Sequence, residues 1–137
     1  MSAQATGIGD IAGTHYASFQ TKAHAAATAT EDLEGWRAPA AVKVTGLFIV
    51  PSVAATGDNT NYTEYNFINR GTAGAGSTEV ANVDFTTGVD MVASKPKSVT
   101  VTAFNMTAGQ VLALQAVNVA AGVALPAATI HIAFKYA

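Results

Sequence analysis

The sequence predicts a single all-β domain, an antiparallel β-sandwich with an extended N-terminal arm. From about residue 41 onward, short apolar segments alternate with Gly, Asn and Pro, which is the pattern of a β-sandwich or barrel. Helical periodicity is nearly absent over the same stretch. The length of 137 residues fits one domain, and a domain of that size buries enough apolar surface to fold without a disulfide or a metal.

Alternation of apolar and polar residues is clearest in the segment 129–136. One face carries Ile130, Ile132, Phe134 and Tyr136, and the other carries Thr129, His131, Ala133 and Lys135. A strand with one buried face has this period of two, so the isoleucines and Phe134 are predicted to face the core. Five further strands are predicted, at 42–50, 62–69, 78–85, 98–104 and 110–119.

Turn sequences separate these strands. Residues 72–77 and 107–109 contain the glycines of loops and tight turns, and 54–61 is predicted to be a surface loop. Pro51 ends the apolar run 47–50, while Pro126 precedes the last strand, where its missing N–H costs the sheet little.

The first forty residues differ from the rest. Residues 1–13 contain three glycines and only Ile8 and Ile11 as bulky apolar anchors beyond Met1, so they are predicted to form a flexible arm that docks on a partner. The sandwich domain is then 14–137. Residues 16–30 supply either one alanine-rich strand or a helix over 22–29, and the interspersed threonines favour the strand. Residues 31–36 are predicted to form a turn that leads to a short strand.

The charge content is low for a free domain. Charged residues make up 12% of the chain and hydrophobic residues 50%, against roughly 25% charged in an average soluble domain. A surface with so little charge is typical of one that partner chains cover. The net charge of −2, with only seven scattered Lys and Arg residues, argues against a nucleic-acid partner.

Two other classes of protein are disfavoured. The chain has no cysteine, which excludes disulfides, thiol catalysis and cysteine-ligated zinc. Residues 1–10 do not resemble a signal peptide, and no apolar run approaches the roughly 20 residues that span a bilayer. We therefore expect a soluble protein made in the cytoplasm, with no membrane partner.

No motif predicts a catalytic centre, a cofactor or a metal site. The three histidines lie far apart in sequence, and a three-histidine site would require trimerisation, with His131 as the first donor. Glu64 and Glu79 could form a glycosidase pair only if the fold made them converge. Asp58 lies in an Asn-rich turn that lacks the glycine and terminal glutamate of a calcium loop, and the glycines at 71–76 lack the helix and lysine of a phosphate site.

Trp36 and Arg37 have two equally weighted interpretations. Both residue types are enriched at binding hot spots, so the pair could anchor an interface. A tryptophan that caps the core is the alternative. The predicted interface residues are Ile8, Ile11, Tyr16, Trp36 and Arg37.

Several segments resemble a group of small bacteriophage virion proteins. The similarity covers about residues 20–137 and is carried by 35–39 (GWRAP), 42–51 (VKVTGLFIVP), 57–62 (GDNTNY), 68–71 (INRG), 74–78 (GAGST), 88–90 (GVD), 108–114 (AGQVLAL) and 125–126 (LP). These motifs are turns and strand edges, and no docking residues of the family map onto them.

The resemblance implies a jelly-roll β-sandwich that decorates or cements a phage head. It implies a homotrimer bound to the phage major capsid protein, located on the capsid surface of the virion after synthesis in the host cytoplasm. Two alternatives stay open: a phage tail or fibre component, and a carbohydrate-binding module that uses Trp36 with Tyr62 or Tyr65. An enzyme is not expected.

Overall fold

The computed structural model describes residues 12–137. Within that range the chain forms no helix, and so none that could cross a membrane. The strands are β1 His15–Gln20, β2 Glu31–Arg37, β3 Val42–Pro51, β4 Tyr62–Asn69, β5 Thr78–Asp84, β6 Lys97–Val99, β7 Phe104–Met106, β8 Val111–Val119 and β9 Ala128–Tyr136.

These strands form two antiparallel sheets. The first has the order β1-β9-β3-β6, with β7 also paired to β3, and the second has the order β2-β8-β4-β5. Strands β6 and β7 pair with opposite ends of β3, so together they occupy the place of one strand. With β6 and β7 counted as one, residues 12–137 form eight strands. Each connection between consecutive strands crosses from one sheet to the other, except at the β4–β5 hairpin. This is a jelly roll, and the predicted all-β sandwich of jelly-roll type is confirmed.

The core lies between the two sheets. Each sheet supplies large side chains that are entirely or almost entirely shielded from solvent, among them Leu47, Ile49, Ile130 and Ile132 from the first and Tyr65, Phe67, Leu112 and Leu114 from the second. Full burial of one such side chain contributes about 1.5 to 3 kcal/mol. The predicted inward face of the last strand is confirmed for Ile130, Ile132 and Phe134.

Strand predictions after residue 41 are close to the structure with one exception. The predicted segment 62–69 coincides with β4, and the predictions for β3, β5, β8 and β9 differ by one residue at an end. The predicted strand 98–104 is wrong, because residues 100–103 leave the sheet between β6 and β7.

A bulge in β3 lies opposite that interruption. The register of β3 against β9 shifts between Val44 and Gly46, so Val42 and Val44 face the core on one side of the bulge and Leu47 and Ile49 on the other. β9 continues past the bulge through a register shift. On the other side of β3, β7 pairs with Val42–Val44 and β6 with Leu47–Ile49, so the break between β6 and β7 lies opposite the bulge.

The region before β3 also departs from prediction. The predicted strand 16–30 ends at Gln20, and residues 22–29 form neither the strand nor the alternative helix. The turn predicted within 31–36 is wrong, because β2 is a strand from Glu31 onward and the turn before it lies at residues 26–27. Polar side chains hold residues 21–30 in place. Thr21 bonds to Ala128 through both its N–H, at 2.8 Å, and its hydroxyl.

Two side chains of β9 differ from the simple alternation. Tyr136, the last residue of β9, is 38% exposed. Ala133 is buried although it faces outward, and a β-carbon at Gly46 would lie 3.4 Å from that of Ala133. The absent side chain of Gly46 thus leaves room for the packing of Ala133.

Candidate interaction surface

The carboxylates proposed as a glycosidase pair do not converge. Glu64 pairs with Asp84 across β4 and β5, whereas Glu79 pairs with Ile68. Four residues along a strand correspond to roughly 13 Å. Glu64 and Glu79 therefore lie too far apart for the two roles of that mechanism.

The histidines lie in three separate environments. His15 is in β1, His131 is in β9, and His24 is buried in the loop between β1 and β2. No group of three His, Cys, Asp or Glu residues that could hold a metal occurs in residues 12–137. The strand face of His131 was expected to be polar, but the groove around it is mostly apolar.

Asp58 closes a turn. Its Oδ1 accepts hydrogen bonds from the N–H groups of Thr60 at 2.8 Å and Asn61 at 2.7 Å. These bonds, Asn61 first, hold the pKa of the Asp58 carboxyl below its usual value. The same oxygen that a calcium ion would need therefore satisfies backbone donors, which supports the interpretation as an Asn-rich turn.

A polar hub at one end of the sandwich comprises His24, Glu31, Thr63 and Asn118, and it ties the loop between β1 and β2 to strands β2, β4 and β8. His24 Nδ1 lies 2.8 Å from Glu31 Oε2, and His24 Nε2 lies 2.9 Å from Asn118 Oδ1. The Asn118 amide nitrogen donates to the Thr28 carbonyl at 3.0 Å, which orients its oxygen toward the imidazole. Both ring nitrogens therefore lie within hydrogen-bond distance of side-chain oxygens of the hub.

The hub was not predicted from sequence. Its members come from the β1–β2 loop, β2, β4 and β8, and His24 and Asn118 are 94 positions apart. No local pattern connects them, since each is an ordinary polar residue in its own segment. A covarying pair would have been the only sequence signal.

An aromatic cluster of His15, Trp36, Phe134 and Tyr136 closes the opposite end. The Trp36 ring lies 5.2 Å from that of Phe134, and His15 stacks on Phe134 at 5.7 Å. Trp36 is half-buried and packs against the core. This position favours the core-capping interpretation of Trp36.

Arg37 lies on the outer side of the second sheet, beside a cleft of about 430 Å³. Arg70 reaches across the same cleft and forms two bonds to Asp32, Nε to Oδ2 at 3.0 Å and Nη2 to Oδ1 at 2.6 Å. Its Nη1 also donates to the Gly76 carbonyl at 3.1 Å. Arg70 thereby ties the loop after β4 to the edge strand β2, and the cleft has a polar, charged wall.

Tyr16 lies on the outer side of the first sheet and is 72% exposed. It borders a groove of about 270 Å³ whose other walls are Phe48, Val50, Pro96 and His131. Side chains on this face belong to β1, β3 and β9 and to the segment before β6. Three of its wall residues, Phe48, Val50 and Pro96, are apolar, so the groove is mostly apolar.

The three predicted interface residues within the described range do not form one surface. Tyr16 lies on the outer face of the first sheet, Trp36 in the aromatic cluster and Arg37 beside the cleft of the second sheet. Ile8 and Ile11 lie outside the described residues. The interface role of all five stays a prediction.

No protein-family model matches the sequence, and no curated protein sequence matches it. Similarity is found among solved structures of infectious bursal disease virus. The VP2 subviral particle covers 90% of this chain at 9% identity with a TM-score of 0.48. The Gx strain gives 90% coverage, 8% identity and a TM-score of 0.44. The T13 viral particle gives 90% coverage, 10% identity and a TM-score of 0.36.

The chain is much shorter than these viral proteins. It spans 33% of the length of the first, 32% of the second and 31% of the third. The similarity thus concerns about a third of each.

Proposed function

We propose that this chain is a structural protein of a bacteriophage virion that decorates the head and cements its coat subunits. The jelly-roll order of the two sheets is the observation that carries the proposal, because jelly rolls are typical of viral capsid, lectin and cupin domains. The resemblance of residues 20–137 to small phage virion proteins selects among these classes.

Two features of the described residues disfavour the lectin and cupin alternatives. Within residues 12–137 no cluster of His, Cys, Asp and Glu could hold a metal, which a cupin-type centre would require. A sugar platform needs exposed planar rings, but Tyr65 is fully buried and Trp36 packs on Phe134. The carbohydrate-binding alternative therefore loses two of its three supporting residues.

The partner that fits these surfaces is the phage major capsid protein. The low charge of the chain reduces the desolvation cost of covering a large area. The groove beside Tyr16 offers apolar contact, and the cleft beside Arg37 offers a charged one. We propose that the chain acts on the capsid surface as a homotrimer, and that residues 1–13 act as an arm on the coat or on a neighbouring copy.

Co-sedimentation with capsids tests the proposal. Purified chain is mixed with empty heads assembled from the major capsid protein of the same phage, and with purified tails as the alternative target. Saturable binding to heads and greater thermal stability of the heads are expected. Binding to tails alone would assign the chain to the tail or fibre, and binding to neither would contradict a virion role.

Deletion of residues 2–13 tests the arm. The thermal midpoint of the free chain should stay nearly unchanged, while the fraction bound to heads should fall. Unfolding of the truncated chain would show that this segment belongs to the core.

Light scattering of the intact chain tests the trimer, and a species of only 13.9 kDa at micromolar concentration would count against it.

A further inference from the structure

We infer that the free edge of β1 is a docking strand for a second copy of this chain, which pairs with it in antiparallel orientation. The inference rests on how the four sheet edges differ, and it does not depend on the proposed function. A free strand edge presents unpaired N–H and C=O groups, and monomeric proteins protect such edges with charge, bulges or very short strands.

Three edges in residues 12–137 carry such protection. β2 has exposed Asp32, Glu34 and Arg37 and a register shift between Asp32 and Glu34. β5 carries charges near both ends and a register shift against β4. β6 and β7 have three residues each and are separated by residues that leave the sheet.

β1 has none of these features. Its six residues, His15–Gln20, include no Asp, Glu, Lys, Arg or Pro, and its register against β9 is regular from end to end. Tyr16, Ser18 and Gln20 are all exposed. Of the sheet edges in the described part of the chain, β1 alone is regular, uncharged and accessible.

The hydrogen-bond pattern identifies the backbone groups that face outward. The N–H of Thr21 donates to the carbonyl of Ala128 on β9 at 2.8 Å. Since bonding groups alternate in direction along an antiparallel strand, the odd-numbered residues of β1 bond to β9. The N–H and C=O groups of Tyr16, Ser18 and Gln20 therefore point to the free edge.

A two-fold axis at Ser18 satisfies all of these groups at once. It places Ser18 opposite Ser18 of the second copy, and Tyr16 opposite Gln20. Each of these pairs exchanges two backbone hydrogen bonds, and paired side chains stay on the same face of the joined sheet. Because β1 contains no acidic or basic side chain other than His15, two identical edges meet without strong repulsion.

This contact is separate from a three-fold contact. Its axis runs through β1. Pairing at this edge by itself joins two copies.

Cysteine cross-linking tests the geometry directly, since the chain has no native cysteine. Two residues in a hydrogen-bonded antiparallel pair have Cα atoms about 5.5 Å apart, within the range of a disulfide. Under mild oxidation, Ser18→Cys should convert most of the protein to a covalent dimer. Ser98→Cys, the same change on the opposite edge of the same sheet, should give only traces. Equal cross-linking of both variants, or of neither, would overturn the inference.

A charge variant tests the contact without covalent trapping. Ser18→Lys places two like charges at the axis, and sedimentation equilibrium should show half the wild-type mass. Ser98→Lys is the matched control and should keep the wild-type mass, and circular dichroism checks that both variants are folded. An unchanged mass for folded Ser18→Lys would contradict the pairing.

A truncation separates the second copy from the other candidate occupant, the N-terminal segment of the same chain. Deletion of residues 2–11 in the Ser18→Cys variant should leave the cross-linked fraction unchanged. If the dimer forms only after this deletion, the edge is covered by the chain's own N-terminal residues, and the inference is wrong.

Discussion

At one end of the sandwich the polar hub joins the loops through hydrogen bonds, whereas the aromatic cluster closes the other end through ring packing. β2 connects the two ends, because Glu31 belongs to the hub and Trp36 to the cluster. In the hub, His24 and Thr63 are buried and hydrogen-bonded. In the cluster, His15 Nε2 is buried without a partner among the described residues.

The difference shows two ways of closing the open ends of a sandwich. Ring packing is tolerant of geometry, and its contribution follows the apolar area that it removes from water. A hydrogen-bonded hub depends on each member, since the loss of one leaves the others buried and unsatisfied. Substitutions at the two ends should therefore differ in how well a conservative replacement restores stability.

The largest effect is expected at the aromatic end. Phe134→Ala should lower the free energy of unfolding by about 3 to 5 kcal/mol, because Phe134 is 5% exposed and contacts three other rings. Denaturant unfolding measures the change. Phe134→Leu should recover most of the loss, and a loss below about 1 kcal/mol for the alanine variant would show that Phe134 does not support the core.

The next effect is expected in the hub. Asn118→Ala should cost about 1 to 3 kcal/mol, because it removes the acceptor for His24 Nε2 and the donor to the Thr28 carbonyl. Asn105→Ala, at an exposed position of β7, is the control and should change stability by less than about 0.5 kcal/mol. At Asn118, a conservative substitution should not restore the lost stability. If Asn118→Asp is as stable as the wild type, the amide donor is unimportant and the hub is less strict than its geometry indicates.

A pH series sharpens the comparison further. Hydrogen bonds from Lys22 and then His24 hold the pKa of the Glu31 carboxyl below its usual value of 4.5. A lowered pKa contributes stability above the unfolded value, and this contribution is lost as pH falls through the folded value. Glu31→Gln should therefore be less stable than the wild type at pH 7, and the difference should shrink as the pH falls below 4.5.

The matched control for the pH series is Glu34→Gln. Glu34 lies on the same strand and is exposed, and its carboxylate accepts a bond only from the adjacent Gly35 N–H. The unfolding midpoints of Glu34→Gln should match those of the wild type at every pH of the series. A Glu31→Gln curve parallel to the wild type at every pH would contradict a role for the Glu31 charge in the hub.

The smallest effect is expected between the two ends, at Tyr65. Its hydroxyl is buried without a hydrogen-bond partner among the described residues, and burial raises the pKa of this phenol. An unpartnered polar group costs stability, so Tyr65→Phe should leave the free energy of unfolding unchanged or raise it by up to about 1 kcal/mol. The edge contact between Tyr65 and Phe85, at 5.2 Å, stays available to phenylalanine. A loss above about 1 kcal/mol would reveal a hydrogen bond to that hydroxyl.

Local pattern was sufficient for most of the second half of the chain. Strand β4 was predicted without error, and the inward face of β9 followed from alternation alone. The failures share one cause. Both wrong strands were predicted from their own residues. Residues 100–103 leave the sheet opposite the bulge in β3, and residues 21 and 28 form hydrogen bonds to Ala128 and Asn118, which are distant in sequence.

The candidate surfaces were less predictable than the strands. Tyr16 was predicted to lie at an interface; its side chain is exposed, and the interface role stays a prediction. Trp36 kept two interpretations until its contact with Phe134, 98 positions along the chain, favoured the core. The ion pair of Arg70 with Asp32 and the hub around His24 had no signal in sequence, because each joins segments that are distant along the chain.

Composition and alternation by themselves determined the all-β class, the main strands after residue 41 and one buried face. These properties depend on neighbours within a few positions, where a period of two decides which side chains meet water. Only the tertiary structure decided which strands pair, where β3 bulges, which polar groups meet in the hub and which sheet edge is left unprotected. Those outcomes depend on contacts between residues distant in sequence. The entropy lost when the intervening chain closes, and the packing gained at the contact, are not encoded in any local pattern.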